Sequence, residues 1–263
     1  MLQTLPRSKT PSGAAYLERG EGRETLVLIH GVGMRIEAWQ PQIDRLANDF
    51  RVIAVDLPGH GFSEALDGAP GLPRYVEWLR RFLVEVAARS VNVAGHSMGA
   101  LIASGIVATS PEMVRRVALL NGVHRRERDA RKAVEARARE IGSGAFDRVA
   151  PLARWFSADE AKTEAYALVR DLLKAVDPAG YAAAYAAFAS GDEVYADCWP
   201  KVDCPALFLT GDGDLNSTAE MAQDMAAAAR RGRAVVIEGH RHMVNLTAPE
   251  EVNRALAEWL ATR

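Results

Sequence analysis

Two hydrophobic patterns divide this chain. From about residue 13 to 121, and again from Ala206 onward, short apolar runs rich in β-branched residues alternate with helical stretches. The strand candidates are Thr25-Leu26-Val27-Leu28-Ile29, Arg51-Val52-Ile53-Ala54-Val55, the run through Val91 and Val93, a run ending at Leu119-Leu120, Ala206 to Thr210, and Arg233 to Ile237. Unbroken apolar runs of this length suit strands covered on both faces, as in a parallel sheet flanked by helices. Between Gly122 and Pro200 the strand signal stops and four helical stretches replace it: Glu127 to Ile141, Ala145 to Phe156, Asp159 to Val176, and Pro178 to Ser190. Ser157-Ala158-Asp159-Glu160 reads as a capping box for the third, and Thr247-Ala248-Pro249-Glu250 as one for a last helix running to about Leu260. The expected fold class is α/β, with a mostly parallel sheet built from residues 1–121 and 201–263 and an all-helical segment, 122–200, inserted between two strands.

The chemistry gathers where strands end. Val93-Ala94-Gly95-His96-Ser97-Met98-Gly99-Ala100 is a strand, then G-x-S-x-G, then a helix continued by Leu101, Ile102, Ile106 and Val107. Glycines on both sides let the backbone reverse sharply and leave Ser97 Oγ exposed at a helix N-terminus, a setting that favours developing negative charge. Ser97 is the candidate nucleophile. A base and an acid are then needed downstream. Glu238-Gly239-His240-Arg241-His242 offers two histidines and Gly211-Asp212-Gly213-Asp214 two carboxylates, and the residues alone leave both pairs open. The acid must accept the imidazole N–H, fix its tautomer and stabilise the imidazolium.

These segments resemble the α/β-hydrolase family. Thr25 to Ile29 followed by His30-Gly31-Val32-Gly33 is similar to the family's HGxG loop, and Asp56-Leu57-Pro58-Gly59-His60-Gly61-Phe62-Ser63 to its D-x-P-G-x-G-x-S turn. The resemblance implies backbone N–H groups of Val32 and Met98 as an oxyanion hole, each donor typically worth about 2.7–4 kcal/mol in the transition state. It selects His242, seven residues before Pro249, over His240, and Asp214, by its G-x-x-D spacing, over Asp212. The family's other position for the acid, after Leu120, holds Asn121 and no carboxylate. The helical segment resembles the family's cap. Serine at the nucleophile position argues against haloalkane dehalogenases and epoxide hydrolases, whose alkyl-enzyme chemistry needs an aspartate there.

Candidate pocket residues are His30, Arg35, His124, Trp155, Tyr181, Tyr185 and Phe188. Tyr181, Tyr185 and Phe188 share one helical face, and Arg35 is in a position to reach a substrate carboxylate. His30 also reads as a brace for its loop. The run Arg125, Arg126, Arg128, Arg131, Lys132 reads as a solvated helix face, and no basic groove is evident. The cap's few large residues, interspersed with alanine, predict a mostly apolar cavity of roughly 300–1,000 Å³.

Composition adds exclusions. The 263 residues are 49% hydrophobic and 25% charged with a formal net charge of −2, which gives no reason to expect a nucleic-acid or membrane partner. No apolar run approaches a membrane span and Met1 to Arg7 lacks a signal-peptide core, so a cytoplasmic location is expected, with Cys198 and Cys204 reduced. Metal-ligand and dinucleotide motifs are absent, so no metal and no cofactor are expected. The expectation is a serine hydrolase, monomeric or homodimeric, that cleaves small or medium carboxylic esters or lactones through an acyl-enzyme. The alternatives are an acyl thioesterase, a carbon–carbon bond hydrolase and a non-catalytic hydrolase-like binding protein.

Overall fold

The computed structural model describes residues 4–144 and 147–263. Among these residues one eight-stranded sheet carries the fold, in the order β1-β2-β4-β3-β5-β6-β7-β8. The strands are β1 Ser8–Lys9, β2 Ala15–Arg19, β3 Thr25–Ile29, β4 Arg51–Val55, β5 Val91–His96, β6 Val114–Leu120, β7 Ala206–Gly211 and β8 Gly232–Ile237. β1 and β2 form an antiparallel edge, and all pairings from β4 to β8 are parallel. β5 and β7 are buried along their whole length, which is why their sequences do not alternate.

Helices cover both faces. Gln40–Leu46 (α1) lies on one face, and Leu72–Glu85 (α2) and Met98–Thr109 (α3) on the other. Arg128–Gly142 (α4), Ala150–Trp155 (α5), Glu164–Ala175 (α6) and Pro178–Ala189 (α7) follow β6 without an intervening strand. Ala219–Ala228 (α8) joins the α2 and α3 side, while Val244–Thr247 (α9) and Pro249–Leu260 (α10) join α1. The sheet divides the apolar core in two. Tyr75, Phe82, Ile102 and Phe208 pack on one face, and Ile43, Leu207, Leu256 and Trp259 on the other.

The α4 to α7 segment sits on the C-terminal edge of the sheet, the end where open α/β sheets bind ligands. Its anchor is a backbone contact: a Cβ on Gly180 of α7 would stand 2.0 Å from the Gly59 carbonyl, so only glycine allows that approach.

Two helix starts differ from expectation. The Ser157–Glu160 box forms, with Ser157 N–H on Glu160 Oε2 at 2.7 Å and Glu160 N–H on Ser157 Oγ at 3.2 Å, but it caps only a single 3₁₀ turn, Glu160–Lys162. Thr163 then caps a separate helix, α6, by accepting from Tyr166 N–H. At the C-terminus Thr247 closes α9, Ala248 occupies the cap of α10, and the Thr247 hydroxyl bonds His240 instead. Pro249 is the first residue of α10, as expected. The start of the stretch expected from Ala145 lies outside the described residues; its described helical part is α5.

Candidate active site

Ser97 follows β5 and caps α3 with φ 55°, ψ −114°. This left-handed strain is tolerated because the flanking positions are glycine: a Cβ on Gly95 would lie 2.0 Å from Gly99 O, and one on Gly99 2.1 Å from Ile29 O. Ser97 is 7% exposed and faces a cavity that Val32 and His242 also line. Met98 is the first residue of α3, so its N–H has no intrahelical acceptor. The serine, the Val32 loop and the helix N-terminus therefore meet at one point.

Asp214 follows β7 and His242 follows β8, and these parallel neighbours bring the two loops side by side. Asp214 Oδ2 accepts from His242 Nδ1–H at 2.7 Å. That bond leaves His242 Nε2 without a proton in the neutral tautomer, free to accept one. Asp214 also accepts from Asn121 Nδ2 at 2.8 Å and from the N–H groups of Asn216 at 2.8 Å and Ser217 at 3.2 Å. Burial alone would raise its pKa; His242, Asn121 and Asn216 outweigh it and lower the carboxyl below its ordinary range. Asn121, which stands where the acid might have been, instead holds the acid.

The competing residues are turned elsewhere. His240 bonds Thr247 Oγ1 at 2.9 Å and Glu160 Oε1 at 3.2 Å, and Asp212 accepts from Gly239 N–H at 2.8 Å. His96 is buried beside the base and donates from Nε2 to the His242 carbonyl at 2.8 Å. Burial and the neighbouring His242 push its pKa down to about 3, so it stays neutral.

Of the seven pocket candidates, Trp155, Tyr185 and Phe188 line the Ser97 cavity. The other four do not. His30 accepts from Leu57 N–H through Nε2 at 2.9 Å and donates from Nδ1 to Gly31 O at 2.8 Å, so it braces its loop. Arg35 turns to Glu37, 3.2 Å away, and borders a different cavity beside Gly59 and Asp177. His124 borders a separate small cavity beside Asp192 and Trp199. Tyr181 stacks behind Tyr185 at 5.9 Å and lines an outer cavity of about 90 Å³.

Two residues that the sequence did not single out change the character of the site. Arg137 of α4 and Arg154 of α5 line both the Ser97 cavity and the outer one. Among the described residues neither is within ion-pair distance of a carboxylate. Arg137 donates to Tyr185 Oη at 3.1 Å and Arg154 to Ala150 O at 3.3 Å, and Arg154 Nε is buried without a partner. Burial, then the Arg137 charge beside it, lowers the Arg154 pKa. The cavity is lined mostly by apolar surface, as expected, and carries these two arginines on its wall. Its free volume is only about 20 Å³, against the several hundred expected, because α4 and α5 close over it. That is room for about one water.

The model of the alpha/beta hydrolase family matches residues 26–255. The chain belongs to that family. This hydrolase is 51% identical over 249 residues to the (E)-2-((N-methylformamido)methylene)succinate hydrolase of Acinetobacter baylyi, covering 95% of this chain and 94% of that protein. Its fold is similar to the enol-lactonase of Burkholderia xenovorans LB400, with 27% identity, a TM-score of 0.85, and 98% and 100% of the two chains covered. An esterase from Thermogutta terrifontis shares the fold at 24% identity and a TM-score of 0.86, over 97% and 98% of the chains. No helix among the described residues is long and apolar enough to cross a membrane, and no metal-ligating cluster occurs among them.

Proposed function

We propose that this hydrolase cleaves small carbonyl compounds that carry carboxylate groups, using Ser97 as nucleophile, His242 as general base and Asp214 as its orienting acid. Ser97 Oγ attacks the carbonyl carbon as its proton passes to His242 Nε2. The Val32 and Met98 N–H groups receive the oxyanion, and the α4–α7 segment, residues 122–200 at its widest, caps the reaction and has to move outward to admit a substrate, since the closed cavity holds about one water. The imidazolium protonates the leaving oxygen or nitrogen, and water then releases the acyl group with His242 again as base.

The unpaired arginine couple beside Ser97 carries the substrate class. Half-buried cations without counter-ions are costly unless a ligand supplies the charge, and guanidinium groups bind carboxylates through paired, charge-assisted hydrogen bonds. The Acinetobacter relative supports the same reading, since a succinate bears two carboxylates and a formamido group supplies an acyl carbon. The expectation of small or medium carboxylic esters or lactones is thereby narrowed to substrates that carry carboxylates and widened to include amides.

The test is to incubate the protein with (E)-2-((N-methylformamido)methylene)succinate and with its neutral dimethyl ester. Faster turnover of the dianion by at least about a hundredfold is expected, equivalent to about 2.7 kcal/mol. Equal turnover, or turnover of the neutral compound alone, contradicts the assignment.

A further inference from the structure

Trp155 does more at this site than line it. Its indole lies over the His242 imidazole, with ring centroids 5.7 Å apart and planes inclined by 27°. Its carbonyl accepts the His242 N–H at 3.2 Å. One residue of α5 thus meets both the ring and the backbone of the base, while its neighbour Arg154 faces the cavity.

We infer that Trp155 is a catalytic residue whose π face stabilises the imidazolium form of His242 that arises each time Ser97 gives up its proton. The inference rests on the roles proposed above for Ser97 and His242. In the imidazolium, Nδ1–H is committed to Asp214 and Nε2–H to Ser97 or the leaving group, which leaves the faces of the ring for any further stabilising contact. Trp155 is 8% exposed, so its stacking contact with the ring is largely shielded from solvent.

The other groups around His242 do not substitute for it. His96, with ring centroids 5.1 Å away, is a neutral ring tied to the His242 carbonyl. Arg137 and Arg154 across the cavity disfavour a second cation. His240 and Arg241 point away, the first to Glu160 and Thr247 and the second to the Ala153 and Phe156 carbonyls.

The experiment follows the rate at which a fluorophosphonate probe modifies Ser97 as a function of pH. In that reaction Oγ bonds to phosphorus, fluoride leaves, and the proton lost from Oγ passes through His242 to water, so the rate rises as the imidazole becomes neutral. Trp155→Leu keeps an apolar cover but removes the π face. Its profile should shift about half to one pH unit lower, with a plateau about threefold to tenfold slower. Trp155→Phe retains a π face and should stay within about 0.3 unit of wild type. If Trp155→Leu does not fold, Trp155→Met provides the same contrast.

Profiles for Leu or Met that coincide with wild type, or move to higher pH as ingress of water would cause, overturn the inference and leave the serine mechanism standing. A wild type that the probe does not modify overturns the nucleophile itself and this inference with it.

Discussion

Arg7 in the sheet domain and Arg154 in the helical insertion are both withdrawn from water, yet they sit in opposite electrical surroundings. Arg7 is held by two buried carboxylates, Glu37 at 2.7 Å and Asp56 at 3.1 Å. Those carboxylates also accept the N–H groups of Leu5, Ile36 and Phe62. Burial alone would lower the Arg7 pKa, but the hydrogen bonds and charges of Glu37 and Asp56 outweigh it and raise it. That closed network pins the loop that follows β3 and carries Val32. Arg154 has another arginine for a neighbour, and burial and that neighbour both lower its pKa. A buried cation with its partners in place holds the fold, whereas one left without them is, on the proposed function, where a ligand's charge is bound.

The sharpest way to break this contrast is at the catalytic loops, where the largest effects are expected. Ser97→Ala should reduce turnover by about 10⁴-fold or more while leaving thermal stability intact, and Asp214→Asn should cost about 10⁴-fold through the wrong imidazole tautomer. Steady-state kinetics together with a thermal melt check both. Full turnover by either variant would mean that the two loops meet for structural reasons only.

The arginines themselves come next. Arg137→Gln and Arg154→Gln should each raise KM for a dianionic substrate by about 10- to 100-fold, the value of a hydrogen bond to a charged group. Turnover of a neutral ester should change by less than about threefold. Arg7→Gln should do the reverse: it strands two buried carboxylates and should cost about 3–5 kcal/mol of stability, measured by denaturant unfolding, with no substrate-charge preference. If Arg7 and Arg154 variants behave alike, the distinction between paired and unpaired cations fails.

Effects of pH concern the histidines. Burial lowers the pKa of His30, His60 and His96, that of His60 to about 4 and that of His96 to about 3. The unfolded chain therefore binds more protons than the folded one once the pH falls below about 6.5, so stability declines with acid, by up to about 1.4 kcal/mol per pH unit for each ring. Melting temperatures between pH 7 and pH 4 should fall continuously, and a flat profile would show that these rings are not neutral in the fold. His240→Ala and Asp212→Asn should retain at least about a tenth of activity, because neither touches Ser97 or the His242–Asp214 pair.

Much of this was legible in the chain. Buried parallel strands leave continuous apolar runs, and the elbow's glycines are required by contacts near 2 Å, so β3, β5, β7 and the Ser97 turn could be read directly. The two capping boxes misled because sequence spacing does not reveal where a turn stops: Glu160 also accepts from Arg241 N–H in the histidine loop, which fixes a short 3₁₀ turn there. Arg137 and Arg154 were hidden by composition. Glu135-Ala136-Arg137-Ala138-Arg139-Glu140 looks like a solvated helix face. A signal was nevertheless present, since Val134, Arg137 and Ile141 fall at i, i+3 and i+7, which places one arginine on the buried apolar stripe of α4. The pairing with Arg154 of α5 is a tertiary fact that periodicity does not contain.

The most direct measurement of the central claim is kcat/KM for p-nitrophenyl hemisuccinate against p-nitrophenyl butyrate, in wild type and in the Arg137→Gln, Arg154→Gln double variant. The two esters share a leaving group and nearly a chain length and differ in one carboxylate. Wild type should favour the hemisuccinate by at least about tenfold, or about 1.4 kcal/mol, and the double variant should lose that preference. A wild type that prefers the butyrate, or a double variant that keeps the preference for the anion, would contradict the account.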